Sequence, residues 1–168
     1  VVATPIPATD KFINAGITVV YFVPVIADVK VPTRAELDAG TDLTEEVIAT
    51  SGWQISSADV AFTPLGTTFT PSIPGRTSVE SSSLTLPQDI EGEDVRAIMP
   101  RGTVGNVVIM YGGDVPDTPM DVYPVRVSSV GKTISTEGTE VASTVVNFSI
   151  PAEPAEDVAI PAAAGGGG

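Results

Sequence analysis

The stretch Ile17-Thr18-Val19-Val20-Tyr21-Phe22-Val23-Pro24-Val25 decides the fold. Ile17, Val19, Tyr21, Val23 and Val25 fall on alternate positions, the two-residue period of a β-strand. Val20 and Phe22 fill positions between them, so the strand is apolar on both faces. A strand of this kind belongs in the middle of a sandwich or at a subunit contact, because a bare apolar face aggregates. Upstream, residues 1–15 carry Pro5 and Pro7 with little periodicity and read as an extended N-terminal arm.

Downstream, Thr33-Arg34-Ala35-Glu36-Leu37 has the capping-box pattern, in which the Thr33 hydroxyl accepts from the Glu36 amide and the Glu36 carboxylate returns to Thr33. Gly40 is expected to stop this short helix, whose Leu37 packs on something larger. Between Leu43 and Phe62, the residues Val47, Ile48, Trp53, Ile55, Val60 and Phe62 suggest two short strands broken near Ser51-Gly52, with Trp53 in the core. Residues 63–77 hold Pro64, Gly66, Pro71, Pro74 and Gly75 and read as a long hairpin tip without regular pairing. Ser78 to Leu86 then reads as a largely polar returning strand with one face in water.

A second short helix is predicted over Glu93 to Met99, with acidic residues at its start, Val95, Ile98 and Met99 as its apolar stripe and Pro100 as its stop. Val104 to Met110, Asp121 to Val130 and Val141 to Ile150 are strand-like, separated by Gly112-Gly113, Pro116, Pro119 and a turn at Thr136 to Thr139. The end of the chain, with Pro151, Pro154, Pro161 and Gly165 to Gly168, reads as a mobile arm. The organisation expected is one β-domain over residues 16–150 between arms at 1–15 and 151–168, with no internal repeat.

Composition narrows the function. A chain of 168 residues that is 42% hydrophobic suffices for one packed core. With 21 acidic against 8 basic side chains its formal charge is −13, which repels nucleic acid and anionic lipid. Without histidine this charge barely changes across neutral pH. The absence of cysteine removes disulfides, thiolate chemistry and soft metal sites. The apolar run Ile17 to Ala27, interrupted by Thr18 and Pro24, is far shorter than the roughly 20 residues that cross a bilayer, so no membrane segment is expected. Val1 to Pro7 has no secretory-signal pattern.

Ser-His and Cys-His nucleophiles are impossible in this sequence, leaving acid–base work to carboxylates, Lys or Tyr. Glu91, Glu93 and Asp94 form the densest acidic cluster, but they precede a helix, where charge at its N-terminus explains them better than a glycosidase pair. Asp114, Asp117 and Asp121 lack the glycine and terminal glutamate of a calcium loop and read as a solvated turn. Arg101-Gly102-Thr103-Val104-Gly105 lacks the Gly-Lys-Ser/Thr ending of a phosphate loop and runs into a strand. The basic residues are scattered singly, without a nucleic-acid stripe. No catalytic residue, cofactor or metal ligand is expected.

Several segments in order resemble the major tail tube proteins of long, flexible-tailed bacteriophages, particularly those infecting actinobacteria. They are Tyr21-Phe22-Val23-Pro24, Pro32 to Leu43, Ser51-Gly52-Trp53, Ile73-Pro74-Gly75-Arg76, Asp94 to Gly105 and Asp121-Val122-Tyr123-Pro124-Val125, together covering about residues 17 to 150. At Met110-Tyr111 this chain departs from relatives that often place basic residues there. The resemblance implies a mainly β fold, a sandwich or partial barrel flanked by a short helix, six copies of which join sheets into a continuous inner β-barrel. Such rings stack into a tube, bridged by the hairpin at 63–77 and the two arms.

The implied partners are other copies of the chain, a tape measure protein inside the tube, terminator and distal tail proteins at its ends, and viral DNA passing through unbound. The implied location is the virion tail, assembled in the host cytoplasm. From the net charge, a passage lined with Asp and Glu is expected. The alternatives are an immunoglobulin-like adhesive or decoration domain and a carboxylate-based glycan hydrolase, which needs two coupled acids in an apolar cleft.

Overall fold

Apolar residues at every position of Val19-Val20-Tyr21-Phe22-Val23 call for a covering layer on each side, and the computed structural model, which describes residues 2–91 and 95–163, supplies both. The elements in chain order are β1 (Val19–Val23), α1 (Arg34–Asp38), β2 (Thr41–Asp42), β3 (Ala49–Ser51), β4 (Ile55–Ala61), β5 (Ser72–Val79), β6 (Ser82–Pro87), α2 (Val95–Ile98), β7 (Val104–Met110), β8 (Pro119–Thr133), β9 (Ser143–Ser149) and β10 (Ala155–Ala159). The fold is therefore mainly β. Eight strands form one antiparallel sheet in the order β2-β1-β7-β8-β9-β6-β3, with β10 on β8, and β4 and β5 form a separate hairpin.

β8 is the long strand that joins two halves of the sheet. Its first half pairs with β7 through Asp121 to Arg126, and its second half pairs with β9 through Arg126 to Thr133, with a bulge between Val127 and Ser129. Bulges bend the strand that carries them. The bend brings Trp53, just beyond β3, against Tyr123 of β8, whose hydroxyl donates to the Trp53 carbonyl at 2.7 Å. Three strand spacings of about 4.8 Å separate β3 from β8 within a flat sheet, so this bond requires the sheet to curl over its own core.

That concave core holds Val20 and Phe22 of β1, Val107 and Ile109 of β7, Tyr123, Val125 and Val127 of β8, Val146 and Phe148 of β9, and Leu84 and Leu86 of β6. The alternate side chains Val23, Val108, Met110, Met120 and Val122 point to the other face, where Leu37 of α1, Ala155 and Ile160 cover them. Strand β1 thus lies between two layers, as its sequence demands.

The capping box forms at α1: the Glu36 amide donates to the Thr33 hydroxyl, and Glu36 Oε2 accepts from the Thr33 amide at 2.7 Å. The helix stops at its cap Ala39. Gly40, the first residue past that cap as expected, also serves for close approach, since a Cβ there would lie 2.8 Å from Val23 Cγ2 and 3.0 Å from the Phe22 carbonyl.

Four expectations are corrected. Val25, placed on the strand by its alternation, lies beyond β1 and is exposed, because Pro24 ends the pairing. Pairing within 63–77 resumes at Ser72, with the Phe62 amide closing on the Pro71 carbonyl, so the unpaired tip is 63–70, and a register shift between Ser57 and Asp59 accommodates Pro74 and Gly75. Ser78 to Leu86 is two strands rather than one; as expected one face meets water, since β6 buries Ser82, Leu84 and Leu86 while Ser83 and Thr85 between them stay partly exposed. Within 151–168, residues 155–159 are not an arm but strand β10, anchored on β8 by Ala155, Val158 and Ala159 with Ile160 buried behind them. Of the second helix, Val95–Ile98 is present, with Val95 and Met99 in the core and Ile98 exposed. Glu93, Asp94 and Gly165 to Gly168 lie outside the described residues.

Candidate assembly surfaces

Two of the carboxylates singled out in the sequence, Asp114 and Asp121, are acceptors that hold the fold. Asp114 faces Arg34 as a two-pronged pair, with both guanidinium Nη to carboxylate Oδ distances at 2.7 Å, and it also accepts from the Tyr21 hydroxyl at 3.3 Å. The Arg34 hydrogen bonds hold the Asp114 carboxyl below its usual range. Burial raises the Tyr21 phenol, with the Asp114 charge adding to it. Asp121 accepts from the Tyr111 hydroxyl at 2.9 Å and from the Asp157 amide at 3.0 Å, tying β7 and β10 to β8. The Asp117 amide donates to the Ile160 carbonyl. The expected solvated turn is therefore a buttress, and among the described residues no three acidic, histidine or cysteine side chains gather in metal-binding geometry.

Glu91 is exposed, its amide donating to Asp89 Oδ1 at 3.1 Å. At Arg101 to Gly105 the chain makes a turn closed by the Thr103 amide on the Pro100 carbonyl, while the Gly102 amide donates to the Val127 carbonyl at 2.9 Å. These amides serve the sheet and offer no phosphate cradle. Of Met110-Tyr111, the methionine is fully buried and the tyrosine hydroxyl is committed to Asp121, so neither stands where a basic surface residue could act. Glu36 spans two segments, its Oε1 accepting from the Ala27 amide at 2.9 Å, and its backbone and side-chain donors lower its carboxyl pKa.

What the structure leaves open is its margins. β3 pairs only with β6, and residues 128–133 of β8 pair with β9 on one side and with no described strand on the other. The four strands β8, β9, β6 and β3 thus form a half-sheet with an open edge at each end. Open edges attract further strands. The hairpin β4–β5 stands apart from the main sheet and exposes Val60, Phe62, Leu65, Phe69 and Ile73. Residues 2–13 have no regular hydrogen bonding and expose Val2, Ile6, Phe12 and Ile13. Other large apolar residues are exposed too, Ile90 and Ile134 among them, but they cluster most densely on these two projections, and such clusters mark contact surfaces. The sequence signalled the hairpin through its turn residues; the open edges carry no local signal, because an edge is defined by what a strand lacks.

Comparison with known proteins follows from this geometry. The family model described as phage tail tube protein matches residues 6–163. A search of curated proteins finds no significant match. Among solved structures, the chain is similar to the sheath/tube terminator of an extracellular contractile injection system, PVC, in its extended state, with TM-score 0.62 and 10% identity over 89% of this chain and 99% of that one. It is also similar to a chain in the virion of a native gene transfer agent particle, with TM-score 0.53 and 16% identity over 86% of this chain and 98% of that one. A chain of the 6-fold symmetrised anti-feeding prophage baseplate aligns with TM-score 0.53 and 12% identity over 91% and 97% of the two chains. At these identities the likeness is one of fold.

Proposed function

Because the chain belongs to the phage tail tube protein family, whose members are structural tail components and not enzymes, we propose that six copies join edge to edge into a ring and that rings stack into the tube through which viral DNA passes. The observation that carries this reading is the half-sheet β8-β9-β6-β3 with both ends open. Its successive pairings are antiparallel, so β3 runs opposite to β8. An even number of strands keeps that alternation across the joint when β3 of one copy meets residues 128–133 of the next. Such a contact is head to tail and closes by rotation into a ring, with no edge left over.

The exposed apolar hairpin β4–β5 and the N-terminal segment then supply contacts along the tube axis, between one ring and the next. The ordered segments shared with tubes of long, flexible-tailed phages favour that tail type, with a tape measure protein inside and terminator and distal tail proteins at the ends. In this reading the assembly forms in the host cytoplasm and ends up in the virion. An adhesive or decoration domain would have no use for two open edges at the ends of one half-sheet. The test is electron microscopy of the purified chain at rising concentration, where rings and tubes are expected and solitary particles at every concentration would sink the reading.

A further inference from the structure

The two open edges of the half-sheet β8-β9-β6-β3 are flanked by charges of opposite sign. Residues 95–113 and 122–136 take in the β8 edge and the segment that runs beside it. They hold Arg96, Arg101, Arg126 and Lys132, half of the eight basic residues of the chain, and no Asp or Glu. Residues 35–75 take in β3; they hold Asp42, Glu45 and Glu46 shortly before that strand and no Lys or Arg. Exposed Arg96 and Arg101 border a cleft whose other wall is Ser129 and Val130 of the β8 edge, with Arg96 Nη2 donating to the Val130 carbonyl at 3.5 Å.

These charges stand on the same side of the half-sheet. Helix α2, which carries Arg96, lays Val95 and Met99 into the core, and the turn that carries Glu45 and Glu46 lays Leu43 and Val47 against the same core. Arg126 alternates with the core residues Val125 and Val127 and faces the other way. Both charged turns are fixed by their backbones. The Glu46 and Val47 amides each donate to the Leu43 carbonyl at 3.0 Å, and the Thr103 amide donates to the Pro100 carbonyl at 3.1 Å. Among the described residues, no hydrogen bond or ion pair engages the side chains of Glu45, Glu46 or Arg101.

Resting on the ring reading above, we infer that the Glu45-Glu46 turn of one copy seats against Arg101 and Arg96 of the next, and that this ionic contact selects the partner edge and the register of the joint. Backbone pairing alone specifies register weakly, and β3 offers only the small side chains of Ala49-Thr50-Ser51 to specify it. Chains at −13 repel one another as whole bodies, so their association needs a local attraction. Opposite charges placed across a contact speed encounter and reject wrong pairings, because like charges brought together are costly. Two β8 edges, or two β3 edges, would set like charges against each other. The head-to-tail joint alone sets arginine against glutamate.

The test reverses the two sides of the contact in separate chains and follows ring formation by sedimentation and electron microscopy. Arg101→Glu in one chain, and Glu45→Lys with Glu46→Lys in the other, should leave the urea midpoint of the monomer unchanged, since all three residues are exposed. Each variant alone should need about tenfold more protein, or greater, to form rings. Mixed in equal amounts, the two should assemble as wild type does, because each supplies the charge that its neighbour's reversed edge requires, and in a ring of six they alternate without a mismatch. Mixing does not repair a folding defect. Lys30→Glu, the same change of charge on an exposed residue of the loop before α1, should assemble as wild type does. Single variants that form rings unaided, or a mixture that fails while wild type succeeds, would overturn the contact and leave the ring reading intact. A loss with Lys30→Glu as large as with Arg101→Glu would assign the effect to net charge and overturn the contact too. Absence of rings from wild type at every concentration would defeat the ring reading and this inference with it.

Discussion

Arg34 and Asp114, eighty residues apart in the chain, meet as a two-pronged pair with each prong at 2.7 Å and both side chains 19% exposed. The pair fastens α1 to the loop after β7, and so holds the outer layer onto the face formed by Val108 and Met110. Arg34 also meets Asp38 at 2.8 Å, but that partner is 56% exposed and sits one helical turn away.

The two carboxylates therefore differ in consequence. Asp114→Ala should destabilise the monomer by about 1–2 kcal/mol, toward the low end for charge-assisted bonds because part of the pair faces water. Asp38→Ala should cost no more than about 0.5 kcal/mol. Since Arg34 depresses the Asp114 pKa, the stabilisation is fully present above the unfolded value, near 3.9 for an aspartate, and is lost as pH falls through the folded value. Urea unfolding of wild type and Asp114→Ala should show a gap at pH 7 that closes in acid; a gap of equal size at both would contradict the pairing.

Tyr123 carries a second long-range bond. Its hydroxyl reaches the carbonyl of Trp53, whose backbone is itself left-handed at φ 64, and the two rings pack edge to face at 5.2 Å. Tyr123→Phe keeps the ring but strands a buried carbonyl, at a cost of about 1–3 kcal/mol. Burial, then the charge of Asp121, pushes the Tyr123 pKa up to about 12. The raised value means that the neutral phenol stabilises the fold below its unfolded pKa near 10, and that this contribution is lost as pH rises toward the folded value. Urea midpoints at pH 8 and pH 11 should therefore fall further for wild type than for Tyr123→Phe.

Trp53 depends on the residue before it. Gly52 has φ +81, and a Cβ there would lie 2.8 Å from the Ser82 Cα and 2.9 Å from the Ser81 carbonyl. Backbone cannot swing aside as the end of a side chain can, so Gly52→Ala should lower stability by more than about 1 kcal/mol. Gly66, at the hairpin tip, has nothing within 4 Å of its Cβ position, and Gly66→Ala should leave the unfolding midpoint unchanged. Equal midpoints for the two variants would refute the crowding at Gly52.

These contacts also mark where sequence reading reached and where it stopped. Strand β7 was legible to the residue, because Val104 to Met110 is bounded by the Gly102 turn and Gly112-Gly113 and both of its faces are apolar. The capping box at Thr33 and Glu36 was legible because it is local. Residues 72–77 of β5 read as loop because Pro74-Gly75 disfavours pairing in general, while a register shift and a hairpin free of the main sheet tolerate it here. Strand β10 was hidden by Pro151 and Pro154, since its pairing depends on an edge of β8 far away in sequence. Asp114, Asp117 and Asp121 were grouped by spacing, but their partners Arg34, Ile160 and Tyr111 come from other elements, and spacing does not reveal them.

The projecting segments give the last prediction. Leu65 and Phe69 at the hairpin tip and Ile6 and Ile13 near the N-terminus are exposed, and no core side chain packs on them, so the monomer folds without them. Leu65→Ser with Phe69→Ser, or removal of residues 1–13, should leave the urea midpoint of the monomer where it was. In the proposed stack, burial of these side chains against a neighbouring ring would contribute about 1.5–3 kcal/mol for each large apolar group, enough for their loss to abolish stacking. In the proposed ring, closure uses β3 and residues 128–133, which neither change touches, so single rings should persist when tubes are gone. Analytical ultracentrifugation and electron microscopy separate the outcomes: rings without tubes match the division of labour argued here, and tubes of normal length from either variant refute it.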